Sequence, residues 1–267
     1  MTKAEELPSE LQDEIFSFVA SDLHSIPNLA LVDKRVNERL LSTFYSTVEL
    51  TSGTQLKKFI QLDRPKVTTL TILSIRRAPC LINIPRICPN IRKLALVDIP
   101  FNSTFCDKLA KLHQLRTLSV QQGTNFSLRM EPDHSGKAPI LESLTHLDYG
   151  TIYPWSYSRI PYNISLPSFP NLTHVLFHVE SKDSPADIAL TVEVWLKFPG
   201  LKRLILRFCS DRDMVQFRSS ISGKGQIDDP RVVCFQMPSP SPLSSGDHFE
   251  FLNQVWALGD KGYPIQQ

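Results

Sequence analysis

Three histidines and one aspartate occur in two neighbouring segments of the chain, His146 with Asp148 and His174 with His178, and their residue types are those that support chemistry. Imidazole and carboxylate groups are common ligands of Zn²⁺ and common partners in acid–base catalysis. If the segments are adjacent strands, the backbones of His146 and His174 lie about 4.8 Å apart, with Asp148 and His178 close by. A zinc site needs three or four ligands, and no cysteine joins this group. The pattern therefore does not favour a metal.

The motifs of common enzyme classes do not occur in this sequence. It has no G-x-S-x-G around a nucleophilic serine, no Walker loop and no G-x-G-x-x-G, and it contains only ten glycines. Its five cysteines include no C-x-x-C pair, so neither a zinc ribbon nor a redox pair is indicated. We therefore expect a protein that is not an enzyme and that uses no metal and no cofactor.

The composition is that of a folded protein with one or two domains. Apolar residues make up 42% of the 267 residues and charged residues 21%, which is ordinary for a soluble chain. Lysine plus arginine (29) nearly balance aspartate plus glutamate (27), which argues against nucleic acid as a partner. The first residues lack the apolar run that is typical of a signal peptide, and no apolar run of about 18 residues that would span a membrane is found. We expect a cytoplasmic or nuclear protein with reduced cysteines.

A repeat of the form apolar-x-x-apolar-x-apolar organises the chain after its first helices. Its middle positions are Val48, Leu70, Leu94, Leu118, Leu147, Val175, Leu204 and Val233. The steps between them are 22 to 29 residues, within the range of about 20–29 that is typical of leucine-rich repeats. The spacing predicts an α/β fold over 51–267, a short leucine-rich-repeat solenoid. Its parallel strands would form the concave face, and helices and loops the convex face.

The segments between these strands include helical patterns and irregular stretches. One helix is predicted to begin at Pro185, because proline suits the first turn. Phe251, Val255 and Leu258 predict a last helix, which we expect to close the exposed end of the stack, since terminal repeats need a cap. Irregular loops are predicted at 121–139, 150–170 and 238–246.

Side chains alternate along a strand, so the residues beside the anchors should line the concave face in rows. One predicted row is Leu73, Val97, Gln121, Gly150, His178 and Arg207, and the last repeat has Val233 and Phe235 as its anchors. The residues predicted to bind a target are His146, Asp148, His174, His178, Arg203 and Arg207, with Trp155 and Tyr157 from an irregular loop. Two alternatives stay open: a merely solvated polar face, and aromatic side chains that pack over the solenoid edge.

The first fifty residues carry a different set of spaced matches. They are Leu7-Pro8-x-Glu10-Leu11, Ile15-Phe16, Asp22-Leu23, Leu31-Val32 and Thr47-Val48-Glu49-Leu50. This set resembles the F-box, in the variant common in fungal proteins. The resemblance implies a three-helix domain over 1–50 that docks on a Skp-family adaptor and, through it, on cullin and RING subunits. The residues expected to contact the adaptor are Leu7, Pro8, Leu11, Ile15, Leu31 and Val32.

Together with the repeats, this resemblance implies a substrate-recognition adaptor of an SCF-type cullin–RING E3 ubiquitin ligase. The F-box would bind the Skp-family adaptor and the repeats would bind a target protein. The alternative is a leucine-rich-repeat interaction scaffold that never joins a ligase, in which the N-terminal helices only cap the repeats.

Overall fold

The computed structural model describes residues 14, 46–61, 67–73, 83–97, 99, 103–121, 140–151, 169–179, 183–221, 229–236 and 248–261. The chain divides into two compact units, Met1–Val48 and Glu49–Gln267. In the first unit Glu14 is helical and exposed. The predicted three-helix segment otherwise lies outside the described residues, as do its six expected adaptor contacts, Leu7, Pro8, Leu11, Ile15, Leu31 and Val32.

In the described ranges, eight strands form one sheet whose spatial order is the order of the strands in the sequence. They are β1 Thr47–Leu50, β2 Thr69–Leu73, β3 Lys93–Val97, β4 Thr117–Gln121, β5 His146–Thr151, β6 His174–Val179, β7 Arg203–Phe208 and β8 Val232–Gln236. Each pair from β2–β3 to β7–β8 is parallel. The predicted α/β fold with parallel strands is therefore confirmed.

The helices of the described chain occupy two kinds of position. Five of these described helices connect successive strands along the sequence: α1 Gly53–Ile60, α2 Ile84–Ile87, α3 Ser103–Leu109, α4 Pro185–Leu196 and α5 Asp211–Ile221. Helix α6, His248–Asp260, follows the last strand. The predicted start of α4 at Pro185 is confirmed, and Ser184 before it has the extended backbone of an N-cap residue.

One turn is repeated before five of the strands and sets their register. The backbone N–H donates to the carbonyl three residues earlier at Ile91, Leu115, Leu144, Leu172 and Leu201. Two consecutive N–H groups then share one carbonyl of the preceding repeat, as those of Arg92 and Lys93 do with Thr68 (2.7 and 3.0 Å). Because successive repeats bond to their predecessors in the same way, the strands stack in register. Three of these turns contain a proline, namely Pro89, Pro170 and Pro199.

One face of the sheet carries the predicted anchors and packs against the helices between the strands. These anchors include Leu70, Leu94, Leu118, Leu147, Val175 and Leu204, and all of them are buried. Trp195 of α4 meets Phe177 of β6 edge-on with ring centroids 5.7 Å apart, and Phe217 of α5 lies 5.4 Å from Phe208 of β7. Aromatic contacts of this kind add to the stabilisation from buried area.

In β8 the predicted anchors Val233 and Phe235 are wrong by one residue. Val232 pairs with Leu204 and faces the anchor side, whereas Val233 pairs with Ile205 and faces the opposite side. A shift of one residue moves every side chain of a strand to the other face. The four residues 232–235 are all apolar, so the strand lacks the alternation that fixed the other strands.

A bulge in β5 displaces one predicted position. The row was expected to place Gly150 beside His178, but Thr151 pairs with His178 after a register shift between Tyr149 and Thr151. A Cβ added at Gly150 would lie 3.0 Å from Cα of Gln121 on β4. Glycine therefore permits the close approach of backbones at this bulge. Residues 122–139, 152–168 and 237–247, which make up most of the predicted loops, lie outside the described part of the chain.

Helix α6 lies across the sheet and does not close the end of the stack as predicted. One apolar cluster joins Phe249, Leu252, Val255 and Trp256 of the helix to Ala95, Leu176, Ile205 and Val233, which come from four different strands. At Gly259 an added Cβ would overlap with Cδ1 of Ile205, so the helix backbone approaches the sheet closely there. We call the sheet surface under α6, from β3 to β8, the covered face.

No helix in the described ranges is long and apolar enough to cross a lipid bilayer.

Candidate functional site

The covered face brings together six of the eight residues predicted to bind a target. Strand registers place His146, His174 and Arg203 in one row, and His178 and Arg207 in another, with Asp148 between the rows. Trp155 and Tyr157 lie outside the described residues. Helix α6 lies over them, so they do not form the open concave surface that was predicted. Asp148, His174 and Arg207 are buried. His146, His178 and Arg203 are only partly exposed.

Asp148 is the centre of a buried polar cluster. Its side chain is fully buried (0% exposed). Oδ2 accepts hydrogen bonds from Oγ of Ser119 at 2.6 Å and from Nε2 of Gln121 at 3.2 Å, and Oδ1 lies 3.1 Å from Nε2 of His178. Burial alone would raise the pKa of Asp148, but His178, His248 and the Ser119 hydroxyl outweigh it and lower that pKa to about 2. The carboxylate therefore stays ionised.

His178 is held between Asp148 and Arg207. Nη1 of Arg207 lies 3.1 Å from Nδ1 of His178, and a guanidinium can only donate. Nδ1 therefore accepts, and the ring proton is on Nε2, on the side of Asp148. Arg207 is itself 1% exposed, and its guanidinium lies 4.9 Å from the ring centroid of Phe251 on α6. This is a cation–π contact between the sheet and the helix.

Helix α6 joins the cluster through its first residue, His248, which is 1% exposed. Its Nε2 lies 3.0 Å from Oγ of Ser119 and 4.0 Å from Oδ2 of Asp148. The single hydroxyl proton of Ser119 is donated to the ionised Asp148, so Ser119 accepts from N–H of His248. Burial lowers the pKa of His248, Asp148 opposes that effect, and His178 adds to it. The result is a neutral ring that donates from Nε2.

The three residue types of a hydrolase triad meet here, but their hydrogen bonds run in another order. In a triad the serine gives its proton to the histidine, which the aspartate orients. Ser119 instead donates to Asp148, and both residues are fully buried (0% exposed). The cluster therefore serves to fasten α6 to the sheet and does not activate a nucleophile.

A second cluster lies at the other end of α6. The rings of His146 and His174 stack with centroids 4.4 Å apart, and the ring of Trp256 meets them edge-on at 5.2 and 6.0 Å. Nε2 of His174 lies 2.9 Å from Oδ1 of Asp260. The pKa of His146 is lowered to about 4, mainly by burial and then by His174, with Lys93 contributing and Asp260 opposing. His146 is therefore neutral at physiological pH.

Arg203 binds the C-terminal end of α6. Its Nε donates to the carbonyl of Gly259 at 2.9 Å and its Nη2 to the carbonyl of Asp260 at 3.4 Å. The last carbonyls of a helix lack intrahelical donors and carry the negative end of the macrodipole. The last turn of α6 has no basic residue of its own, so the sheet supplies the cation. Lys93 contacts the middle of α6, with Nζ 3.5 Å from Oδ1 of Asn253.

Metal and thiol chemistry find no support in the described ranges. No group of three or more His, Cys, Asp or Glu residues there could hold a metal ion. Cys88, Cys209 and Cys234 are thiols that form no disulfide. Burial raises the pKa of Cys234 to about 12, so this thiol is not a nucleophile at neutral pH.

The helix residues that complete both clusters, such as His248 and Trp256, were not predicted from the sequence. The signal was present, because His248, Leu252, Val255, Trp256 and Gly259 follow helical spacing and all five are buried. The predicted stripe instead included Phe251 and Leu258, which are only partly buried.

Comparison of the sequence with protein-family models matches none of them, and comparison with curated proteins also finds no match.

Proposed function

We propose that the protein is a substrate-recognition adaptor of an SCF-type cullin–RING ubiquitin ligase. Residues 1–50 form a three-helix F-box that docks on a Skp-family adaptor and thereby on the cullin and RING subunits. The leucine-rich-repeat-like sheet that follows binds the target protein. The protein acts in the cytoplasm or the nucleus.

The proposal rests on the order of the two segments along the chain, the F-box-like segment and the repeat sheet. An F-box-like segment is followed directly by a parallel sheet in which each strand lies beside its predecessor in the sequence. Strand steps of 22 to 29 residues and one repeated turn are typical of leucine-rich repeats. Stacked repeats of this kind form extended surfaces for protein partners.

The chain itself makes and breaks no bond in this function. It holds a target protein near the subunits that transfer ubiquitin, which makes an encounter of two molecules effectively intramolecular. Positioning of this kind can supply up to about 7–11 kcal/mol of a reaction barrier. The buried clusters around Asp148 and His174 are consistent with a role in binding, because their polar groups fasten a helix.

Adaptor docking requires that most of the six predicted apolar contacts engage. Burial of one such side chain contributes about 1.5–3 kcal/mol, so six contribute roughly 9–18 kcal/mol before costs. Association costs about 4–15 kcal/mol. Loss of two of the six contacts therefore removes much of the net free energy of binding.

We expect the double variant Leu7→Ala with Pro8→Ala to lose adaptor binding. The measurement is co-purification with a recombinant Skp-family adaptor, and the bound fraction should fall at least about tenfold, because two of six buried groups are truncated. Circular dichroism should show the repeats still folded.

The matched control truncates apolar groups on the repeats. Ile140 (45% exposed) and Val215 (60% exposed) are large apolar residues at the surface, and Ile140→Ala with Val215→Ala should leave adaptor binding unchanged. Equal binding by the Leu7/Pro8 variant and the wild type would contradict the F-box assignment and favour a scaffold that joins no ligase.

A further inference from the structure

The covered face holds α6 through side chains, while the sheet is built by hydrogen bonds between its own strands. The parallel pairs run continuously from β2 to β8. The helix adds an apolar layer, in which Leu252, Val255 and Trp256 pack on the middle row of the sheet. The contact therefore resembles a helix in a groove, one of the recurring modes of peptide recognition.

The charges of the covered face match the direction of the helix dipole. The ionised carboxylate of Asp148 lies near the N-terminal end of α6, where negative charge is favourable. The guanidinium of Arg203 binds the carbonyls at the C-terminal end, and His174 binds the carboxylate of Asp260. The face thus suits a helix whose N-terminus lies near Asp148 and whose C-terminus lies near Arg203, with an acidic residue at that C-terminal end.

The fit of α6 is incomplete. Nε1 of Trp256 and Nδ1 of His248 are buried, and neither has a hydrogen-bond partner among the residues that the structure describes. A buried polar atom left in this way destabilises the contact, because it has lost its hydrogen bonds to water and gained none in return. The covered face also buries the charged groups of Asp148 and Arg207, whereas apolar residues of similar size often stabilise a permanent core as well or better.

We propose that the covered face is the target-binding surface, that α6 is its intramolecular occupant, and that the target presents a helix of the same chemistry. That helix has aliphatic or aromatic residues at the positions of Leu252, Val255 and Trp256, a small residue at that of Gly259, and an acidic residue at that of Asp260. This inference rests on the proposed function, because it identifies the surface through which such an adaptor recruits its target.

The test measures exchange of α6 in the full chain. A site-specific protease sequence is inserted between Leu243 and Ser244, in the proline- and serine-rich segment before α6. Cleavage leaves α6 as a separate fragment. A fluorescent synthetic peptide of residues 247–261 should then bind the cleaved protein. It should bind the uncleaved protein at least about tenfold more weakly, because a tethered helix competes at roughly millimolar effective concentration.

Peptide variants test the chemistry. Asp260→Ala should weaken binding roughly tenfold, since a charge-assisted hydrogen bond is lost, and Trp256→Ala should weaken it by at least as much. Ala257→Ser, at an exposed position of α6, is the matched control and should bind as the parent does. Helical peptides selected from a random library on the cleaved protein should be enriched in an acidic residue at the position of Asp260.

Two outcomes would overturn the inference. One is failure of the peptide to exchange with α6 while the cleaved protein stays folded; the other is loss of the sheet's circular-dichroism signal on cleavage, which would make α6 part of a permanent core. The Leu7/Pro8 double variant should give the same peptide exchange as the wild type, because adaptor docking is not involved. A failed exchange with intact adaptor binding would therefore contradict this inference alone.

Discussion

Asp148 keeps its charge although none of its side chain reaches solvent, and its neighbours explain how. An isolated buried carboxylate would take up a proton. Here Ser119 and Gln121 donate to Oδ2, and His178 lies beside Oδ1 with Arg207 behind it. A buried charge in such a network depends on all its partners, so single substitutions within it have large effects.

We expect Asp148→Asn to lower the free energy of unfolding by about 3 kcal/mol, because it removes a buried negative charge beside Arg207 and His178. Urea denaturation followed by circular dichroism measures this loss. The control is Glu193→Gln, which removes an exposed pair with Lys197 (3.4 Å) and should cost less than about 1 kcal/mol. Equal losses in the two variants would show that the Asp148 network contributes no more than a surface ion pair.

Helix α6 determines whether the polar rows of the sheet are exposed or covered. Without it, the rows containing His146, His174 and Arg203 would form an open polar surface. With it, those side chains become the polar rim of a helix–sheet contact whose centre is Ile205 and its apolar neighbours. The helix approaches the sheet closely at Gly259, where the absence of a side chain lets the helix backbone lie against Ile205.

We expect Gly259→Ala to destabilise the protein, although alanine normally stabilises a helix by up to about 1 kcal/mol relative to glycine. The new Cβ would overlap with Cδ1 of Ile205 and lie 3.1 Å from its Cγ1, and overpacking of a core costs about 1–3 kcal/mol. The measurement is thermal unfolding. Ile205→Val removes the overlapping methyl group, so the double variant should lose less stability than the sum of the two single variants. If the stability losses of the two single variants were simply additive, the strain in Gly259→Ala would not arise from contact with Ile205.

At the scale of the whole molecule, the buried histidines make stability depend on pH. The pKa of His146 is lowered from 6.5 to about 4 and that of His248 is lowered as well. Between these values the unfolded chain binds more protons than the folded one. The stabilisation is therefore complete above about pH 6.5 and is lost as the pH falls toward 4. Asp148, whose pKa is lowered from 3.8 to about 2, adds a further loss at still lower pH.

We expect the free energy of unfolding to fall by about 1–2 kcal/mol between pH 7 and pH 4 on account of His146, whose ring keeps some contact with water. Urea denaturation at intervals of about one pH unit measures the fall. His146→Gln should flatten the pH dependence, whereas His113→Gln, at an exposed position, should leave it as in the wild type. A stability that stays constant over this range would contradict the burial of a neutral His146.

The sequence predicted correctly that His146, His174, Arg203, His178 and Arg207 share one face of the sheet with Asp148, and the reason is local. From β2 to β7 the anchors are apolar and their neighbours are mostly polar or small, so alternation alone assigns each side chain to a face. That rule failed where apolar and polar residues do not alternate. Residues 232–235 of β8 are all apolar, and the predicted register of β8 was wrong by one residue. It also failed at Gly150, where a bulge adds a residue to β5.

The sequence by itself determined the repeat spacing, the parallel α/β fold and the set of polar residues that share one face, because these follow from periodicities within short segments. Only the tertiary structure decided where α6 lies and which charges it covers. An amphipathic helix shows that it must bury a stripe, but not which surface will receive it. That choice depends on contacts between residues far apart in the chain, such as His174 with Asp260 and Ser119 with His248.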